Sequence, residues 1–328
     1  MALTYGNGNI LTGSIEANKR DQIFMQASTR IKTISTILRL IRWRQHIPFV
    51  VPLTIFGSML SIQQNDIVPD WKLGAIVIAN SLGMSSAFII NDIEDAQSDA
   101  LDPDKCAQNV LSSGLLSRRT AMIVFWVTSG LAFALYLLGG LWTTFLGGTG
   151  LVMAYMYSAE PFRLKARPVV DIITHALGGG SLQVVIGYVT YDIHFDAAWY
   201  VIIAMALGGV YGQFYNQLKD YDVDKLAGLR NTTQSIGKLP ARILMYSSII
   251  STGLCLVLAI VQRVFPRWIG TIIAIGSLSC ALFVWKTDMR GNRVKGFDTL
   301  QIPVLLVMNL TAMIWLAWAM GWILPGNS

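Results

Sequence analysis

Nine stretches of about 20 mostly apolar residues follow one another along the chain, and they set its solvent before any other feature is considered. They fall near residues 46–62, 73–90, 120–139, 141–156, 169–190, 198–218, 243–262, 269–285 and 300–323. A run of this kind suits the hydrocarbon core of a bilayer, where a helix closes its own backbone hydrogen bonds. With 53% of residues apolar and 13% charged, little is left to clothe a water-soluble surface. The expected fold is all-α: a polytopic membrane protein with a bundle of about nine transmembrane helices. Residues 37–328 form a single domain, after a polar cytosolic tail at 1–36 that carries no apolar segment of the secretion-signal type. Cys106, Cys255 and Cys280 lie far apart, and His46, His175 and His194 share no ligand spacing with them, so neither a disulfide framework nor a zinc site is expected.

The net charge of +6 reads as topology rather than as affinity for nucleic acid, because the basic residues alternate with the apolar runs. With the tail placed in the cytosol, only Lys72, Arg263 and Arg267 of the 25 lysines and arginines fall on the far side. That bias predicts an N-terminus inside and a C-terminus outside. The sequon at Asn231 then faces the cytosol and is not a glycan acceptor.

Two acidic clusters carry the chemistry. The second run continues into Asn91-Asp92-Ile93-Glu94-Asp95-Ala96-Gln97-Ser98-Asp99, and the sixth into Lys219-Asp220-Tyr221-Asp222-Val223-Asp224. If each helix extends through its cluster, Asp92, Asp95 and Asp99 share one face, as do Asp220 and Asp224. Glu94 and Asp222 fall off those faces. Four runs separate the clusters, so both emerge at the cytosolic surface. Facing carboxylates repel one another unless a divalent cation lies between them, and oxygen ligands with open positions suit Mg²⁺ shared with substrate phosphates. Mn²⁺ is expected to replace it. Such a site can stabilise a departing diphosphate, with Arg42, Lys105, Arg163, Lys165, Arg167 and Lys219 as candidate cations and Tyr157 and Ser158 leading into their loop.

At these residues the chain resembles the UbiA superfamily of intramembrane prenyltransferases, with its NDxxDxxxD motif after the second helix and KDxxxD-type motif after the sixth. The stretch Tyr157-Ser158-Ala159-Glu160-Pro161-Phe162-Arg163-Leu164-Lys165 agrees as well. The resemblance covers essentially the whole chain. It implies a helical bundle around a central cavity, in which Asn91, Asp95, Asp220 and Asp224 hold Mg²⁺ on a prenyl diphosphate. Asp99 is implied as a further ligand and Asp92 as support, while Lys105 and the loop from Tyr157 through Ser158 and Arg163 to Lys165 touch phosphate. One position departs: where many members carry Arg-Pro before Ser-Gly, this chain reads Gln108-Asn109-Val110-Leu111-Ser112-Ser113-Gly114. The Asn-x-Leu-x-x-Gly form resembles lycopene elongases.

The expected function is Mg²⁺-dependent ionisation of a polyprenyl diphosphate and transfer of the prenyl cation to a lipophilic acceptor, in contact with membrane lipid and with no nucleic acid. A terpene cyclase of the same superfamily, which needs no acceptor, uses the same ionising motifs. Tyr155, Tyr188, Tyr191, Tyr211, Tyr215, Phe88 and Phe214 are candidates to line the cavity and face a cation. A transporter is the remaining alternative, but the acids sit at one surface and no matching pair of broken helices is present.

Overall fold

Apolar runs with internally closed backbones should give helices and nothing else, and the computed structural model contains no strand among its described residues, 34–226, 228–284 and 301–323. The elements are α1 (Trp43–Gln64), α2 (Trp71–Asp99), α3 (Pro103–Gln108), α4 (Arg118–Leu137), α5 (Leu141–Ser158), α6 (Val170–Ala176), a π-helical segment (Leu177–Ser181) and α7 (Leu182–Val189). After them come α8 (Trp199–Lys219), α9 (Tyr221–Leu226), α10 (Thr232–Ile236), α11 (Lys238–Val261), α12 (Arg267–Val284) and α13 (Gln301–Ala319). Most of the tail, the basic stretch 285–300 and residues 324–328 lie outside the described residues, as does Ala227.

Six helical stretches among the described residues are long and apolar enough to cross a membrane: α1, α2, α4, Val170–Val189, Asp196–Lys219 and α11. The other three expected runs fall on α5, α12 and α13, the last two contributing shorter apolar parts, Arg267–Gly276 and Val304–Ala319. One expected helix is not continuous. The run 169–190 is α6, a π turn and α7, because Gly178, Gly179 and Gly180 bring no side chains to hold the α register.

Helices in lipid gain little from burying apolar surface against each other, so close backbone approach and hydrogen bonds carry the packing. The contact of α1 with α7 shows the first device. A methyl group at Gly57 would lie 2.0 Å from the Val184 carbonyl oxygen, and one at Gly187 would lie 2.4 Å from that of Thr54. Both obstacles are backbone, which cannot swing aside. Gly187→Val is therefore expected to destabilise the protein by about 1–3 kcal/mol through overpacking, read as a lower unfolding temperature in detergent. An unchanged midpoint would show that α1 and α7 are free to separate. The second device is a buried polar tie between four helices: Asn80 on α2 donates to the Thr54 hydroxyl on α1 (2.8 Å) and the Gln183 carbonyl on α7 (3.3 Å), and accepts from the Tyr136 hydroxyl on α4 (2.9 Å).

These contacts hold the walls apart as well as together. Between α1, α2, α5, α6, α7 and α8 lies a cavity of about 880 Å³, open at the end where α2 and α8 finish. Most of its wall is apolar, with Phe49, Phe88, Tyr136 and Tyr157 as its aromatic members. Of the seven aromatic residues expected there, only Phe88 lines it. Tyr188 is fully buried at the opposite end of the bundle, Tyr191 donates to Asp70, Tyr155 packs on Phe125, Phe214 is buried in the wall, and Tyr211 stacks with Tyr215.

Candidate active site

The first acidic cluster rides on a helix that continues through it, as its spacing requires, since α2 ends only at Asp99. Three turns of one helix therefore present Asn91, Asp95 and Asp99 in a row, and each side chain already has a partner. The Asn91 amide oxygen accepts from the Lys165 ammonium (2.9 Å) and the Ser158 hydroxyl (3.1 Å). Asp95 pairs with Lys165 (2.5 Å) and Arg163 (3.4 Å). Asp99 accepts from the amide of Asn109 (2.9 Å), which donates also to the Asp92 carbonyl (2.9 Å).

Asp92 takes a different course. It is 1% exposed and locked in a two-point pair with the Arg42 guanidinium, at 2.7 and 3.1 Å. Arg42 reaches it because the backbone turns left-handed there (φ 52), between the helical residues 34–41 and α1. The sequence placed Asp92 on the shared face with Asp95. The structure turns its carboxylate into the wall, where it anchors α1 to α2.

The second cluster corrects an expectation. Helix α8 does not run through it: the helix stops at Lys219, Asp220 is its cap, and a separate short helix α9 carries Asp224. The one-turn spacing survives the break because the Asp224 N–H donates to the Asp220 carbonyl (2.8 Å). Both carboxylates line the cavity mouth, whereas Asp222 points to solvent and pairs with Lys238 (3.0 Å) and Glu94 pairs with Arg118 (2.8 Å). Lys219 is not among the residues lining the cavity.

The two clusters meet. Burial, reinforced by the neighbouring charge of Asp220, pushes the Asp224 carboxyl up to about 6, while Lys105 acts against the shift and Asp95 across the mouth adds to it. Burial also moves the Lys165 ammonium below its ordinary range, with Asp95 opposing. Tyr157 lies just inside, its hydroxyl accepting from Gln213 (3.1 Å). Of the expected phosphate-contacting residues, Arg42, Tyr157 and Lys165 line the cavity and Ser158 and Arg163 bond to Asn91 and Asp95, whereas Lys105, like Lys219, is not among the lining residues.

Three supporting residues escaped sequence reading. Asn231 caps α10 through Gln234 N–H (2.8 Å) and holds Asp224 with its amide (3.0 Å), so the sequon asparagine is a buried brace. Asp171 is fully buried at the start of α6 and accepts from Gln217 (2.6 Å), from Thr232 N–H (2.7 Å) and from the Thr232 hydroxyl. Gln217 in turn accepts from Thr233 (2.8 Å), so α6, α8 and α10 are tied directly behind Asp220 and Asp224. An acid inside an apolar run was the available signal for Asp171. Asn109 is the third, fixing the loop after α3 against Asp99.

Among the described residues no three acidic, histidine or cysteine side chains close into a ready metal cage. The donor set nevertheless fits a hard cation: it is all oxygen, from an amide and carboxylates, and the Lys165 ammonium already holds a cation's place between Asn91 and Asp95.

The same arrangement of motif and fold recurs in known proteins. The model of the UbiA prenyltransferase family matches residues 50–302. A 4-hydroxybenzoate octaprenyltransferase of Pseudomonas fluorescens is 26% identical over 202 residues, covering 61% of this chain and 66% of the relative, just under two thirds of its length. A lycopene elongase/hydratase of Corynebacterium glutamicum is 27% identical over 152 residues, covering 45% of this chain and 52% of its own. The structure of a UbiA homolog from Archaeoglobus fulgidus bound to GPP and Mg²⁺ superposes with a TM-score of 0.71 at 19% identity, over 87% of this chain and 99% of the homolog, a likeness of fold.

Proposed function

The chain belongs to the UbiA prenyltransferase family, and from that premise and the geometry of the cavity mouth we propose that it ionises a prenyl diphosphate with Mg²⁺ and transfers the prenyl group to a lipophilic acceptor. The observation that carries this reading is that Asn91, Asp220 and Asp224 line one apolar cavity of about 880 Å³, with Asp95 held beside Asn91 by the Lys165 ammonium. The diphosphate lies at the mouth and the isoprenoid tail in the cavity.

On this reading Asn91, Asp95, Asp220 and Asp224 hold the metal, with Asp99 beside them. Bound Mg²⁺ supplies positive charge to the diphosphate oxygens. Lys165, Arg163 and Lys105 turn their donors to the same anion, so the allylic carbon–oxygen bond breaks with its electron pair going to the diphosphate. Tyr157 closes the inner edge of this polar layer, and the apolar wall keeps water from the cation. Asp92 acts through Arg42 and holds α1 in place.

The direct test is release of diphosphate from a prenyl diphosphate by purified protein. Activity is expected to vanish with EDTA and to return with Mg²⁺ or Mn²⁺. The Mg²⁺ concentration needed should rise as the pH falls through about 6, because a proton then competes for Asp224, whose carboxyl is raised to that value. Full turnover in metal-free buffer would sink the mechanism.

The mouth opens to the cytosol on this reading. A cysteine placed at Lys225 should label only from the cytosolic face and one at His194 only from the other, since a single membrane crossing, α8, separates them. Labelling of both from one face would overturn the orientation.

A further inference from the structure

An imidazole stands in the cavity wall one ring behind the polar mouth. His175, on α6, lines the cavity with its ring 6.5 Å from that of Tyr157, and among the described residues it has no hydrogen-bond partner. Its setting is built rather than incidental. Asp171, one turn earlier on α6, is immobilised by Gln217 and Thr232, which fixes the start of the helix that carries the ring. Past His175 the helix widens into the π turn, and Gly178, Gly179 and Gly180 leave that part of the wall without side chains. A methyl group at Gly179 would lie 3.5 Å from the His175 Nε2, so glycine there keeps the ring edge open. Beyond the glycines Gln183, 6% exposed, turns its amide back toward Gly178 and leaves its carbonyl oxygen unpartnered. π turns inside α-helices are frequent at functional sites.

We propose that His175 is the base that takes up the proton released when the prenyl cation is quenched, and that the glycine-walled space beside it holds the group being alkylated. The proposal rests on the prenyl diphosphate reading above and adds the step after ionisation. The carbon–oxygen bond breaks and its pair leaves on diphosphate. A π pair of the acceptor, or of the prenyl tail itself, forms the new carbon–carbon bond. The adjacent carbon–hydrogen bond then returns its pair to a double bond, and the proton goes to the imidazole nitrogen and from there to water. Other groups in reach are poorer bases for this step. The carboxylates at the mouth are committed to metal and diphosphate, and the Tyr157 phenol is already hydrogen-bonded and neutral. A neutral imidazole with a free lone pair in a dry cavity is suited to it.

The test needs no knowledge of the natural acceptor. Protein, Mg²⁺ and geranyl or geranylgeranyl diphosphate are incubated alone, and released diphosphate is measured alongside hydrocarbon formed by proton loss and alcohol formed by water capture. The wild type is expected to give hydrocarbon. In His175→Gln and His175→Phe the hydrocarbon formed per diphosphate released is expected to fall about tenfold or more, the usual scale for losing a positioned base being 10²–10⁴. An unchanged ratio in both variants, or a wild type that makes alcohol alone, would overturn the assignment of His175. A wild type that releases no diphosphate from either substrate would instead overturn the ionisation reading on which it stands.

Discussion

Asp95→Asn and Asp220→Asn are each expected to lower turnover of a prenyl diphosphate about 10²–10³-fold, or roughly 3–4 kcal/mol of transition-state stabilisation, as befits groups that answer developing charge. Asp222→Asn and Glu94→Gln should stay within about fivefold, because each loses only a surface ion pair worth up to about 1 kcal/mol. The contrast follows from the structure. Asp95 and Asp220 belong to the facing sets at the mouth, while Asp222 pairs with Lys238 in solvent and Glu94 with Arg118 on the far side of α2. Initial rates at saturating Mg²⁺, normalised to folded protein, decide it. If Asp222→Asn proved as damaging as Asp220→Asn, the division between inner and outer acids would be wrong.

Arg42→Met is expected to act on stability more than on chemistry. It leaves the Asp92 carboxylate, 1% exposed, without its guanidinium, and breaking a buried pair from one side costs about 3–5 kcal/mol. The unfolding midpoint in detergent should fall sharply, and the double variant Arg42→Met/Asp92→Asn should regain much of the loss because no buried charge is then stranded. If instead Arg42→Met kept its midpoint and raised KM for the prenyl diphosphate many-fold, Arg42 would belong to the substrate and not to the wall.

Hydropathy made the helices legible because a bilayer imposes one length and one backbone solution on every run. The pairing of the acidic clusters was legible for a related reason: an even number of crossings between them leaves them on one surface. What pattern could not supply was the direction of individual side chains. Asp92 obeys the same spacing as Asp95, yet the left-handed turn at Arg42 supplies a partner 50 positions away that draws it into the wall. The interruption of α8 at Asp220 is equally silent in sequence, since nothing in Lys219-Asp220-Tyr221 forbids a helix. Tertiary ties from Asn231 and Gln217 accompany the break. Asp171 and His175 were visible as ionisable residues in an apolar run, but their role depends on a π turn that only the packed structure discloses.

The ammonium of Lys165, lodged between Asn91 and Asp95, has a further consequence for the order of events at the mouth. A lone divalent ion approaching these oxygens meets a site whose charge is already balanced, and it must evict a cation that has nowhere better to go. An ion that arrives with a diphosphate brings the evicted ammonium a new anion in the same move. On the proposed reading metal and substrate are therefore thermodynamically coupled ligands, each raising the affinity for the other by the same factor. Mg²⁺ titrated alone should bind weakly, and titrated with a non-hydrolysable diphosphate it should bind far more tightly. Lys165→Met should flatten that difference, leaving a mouth that accumulates bare metal and no longer discriminates a loaded substrate from its counter-ion.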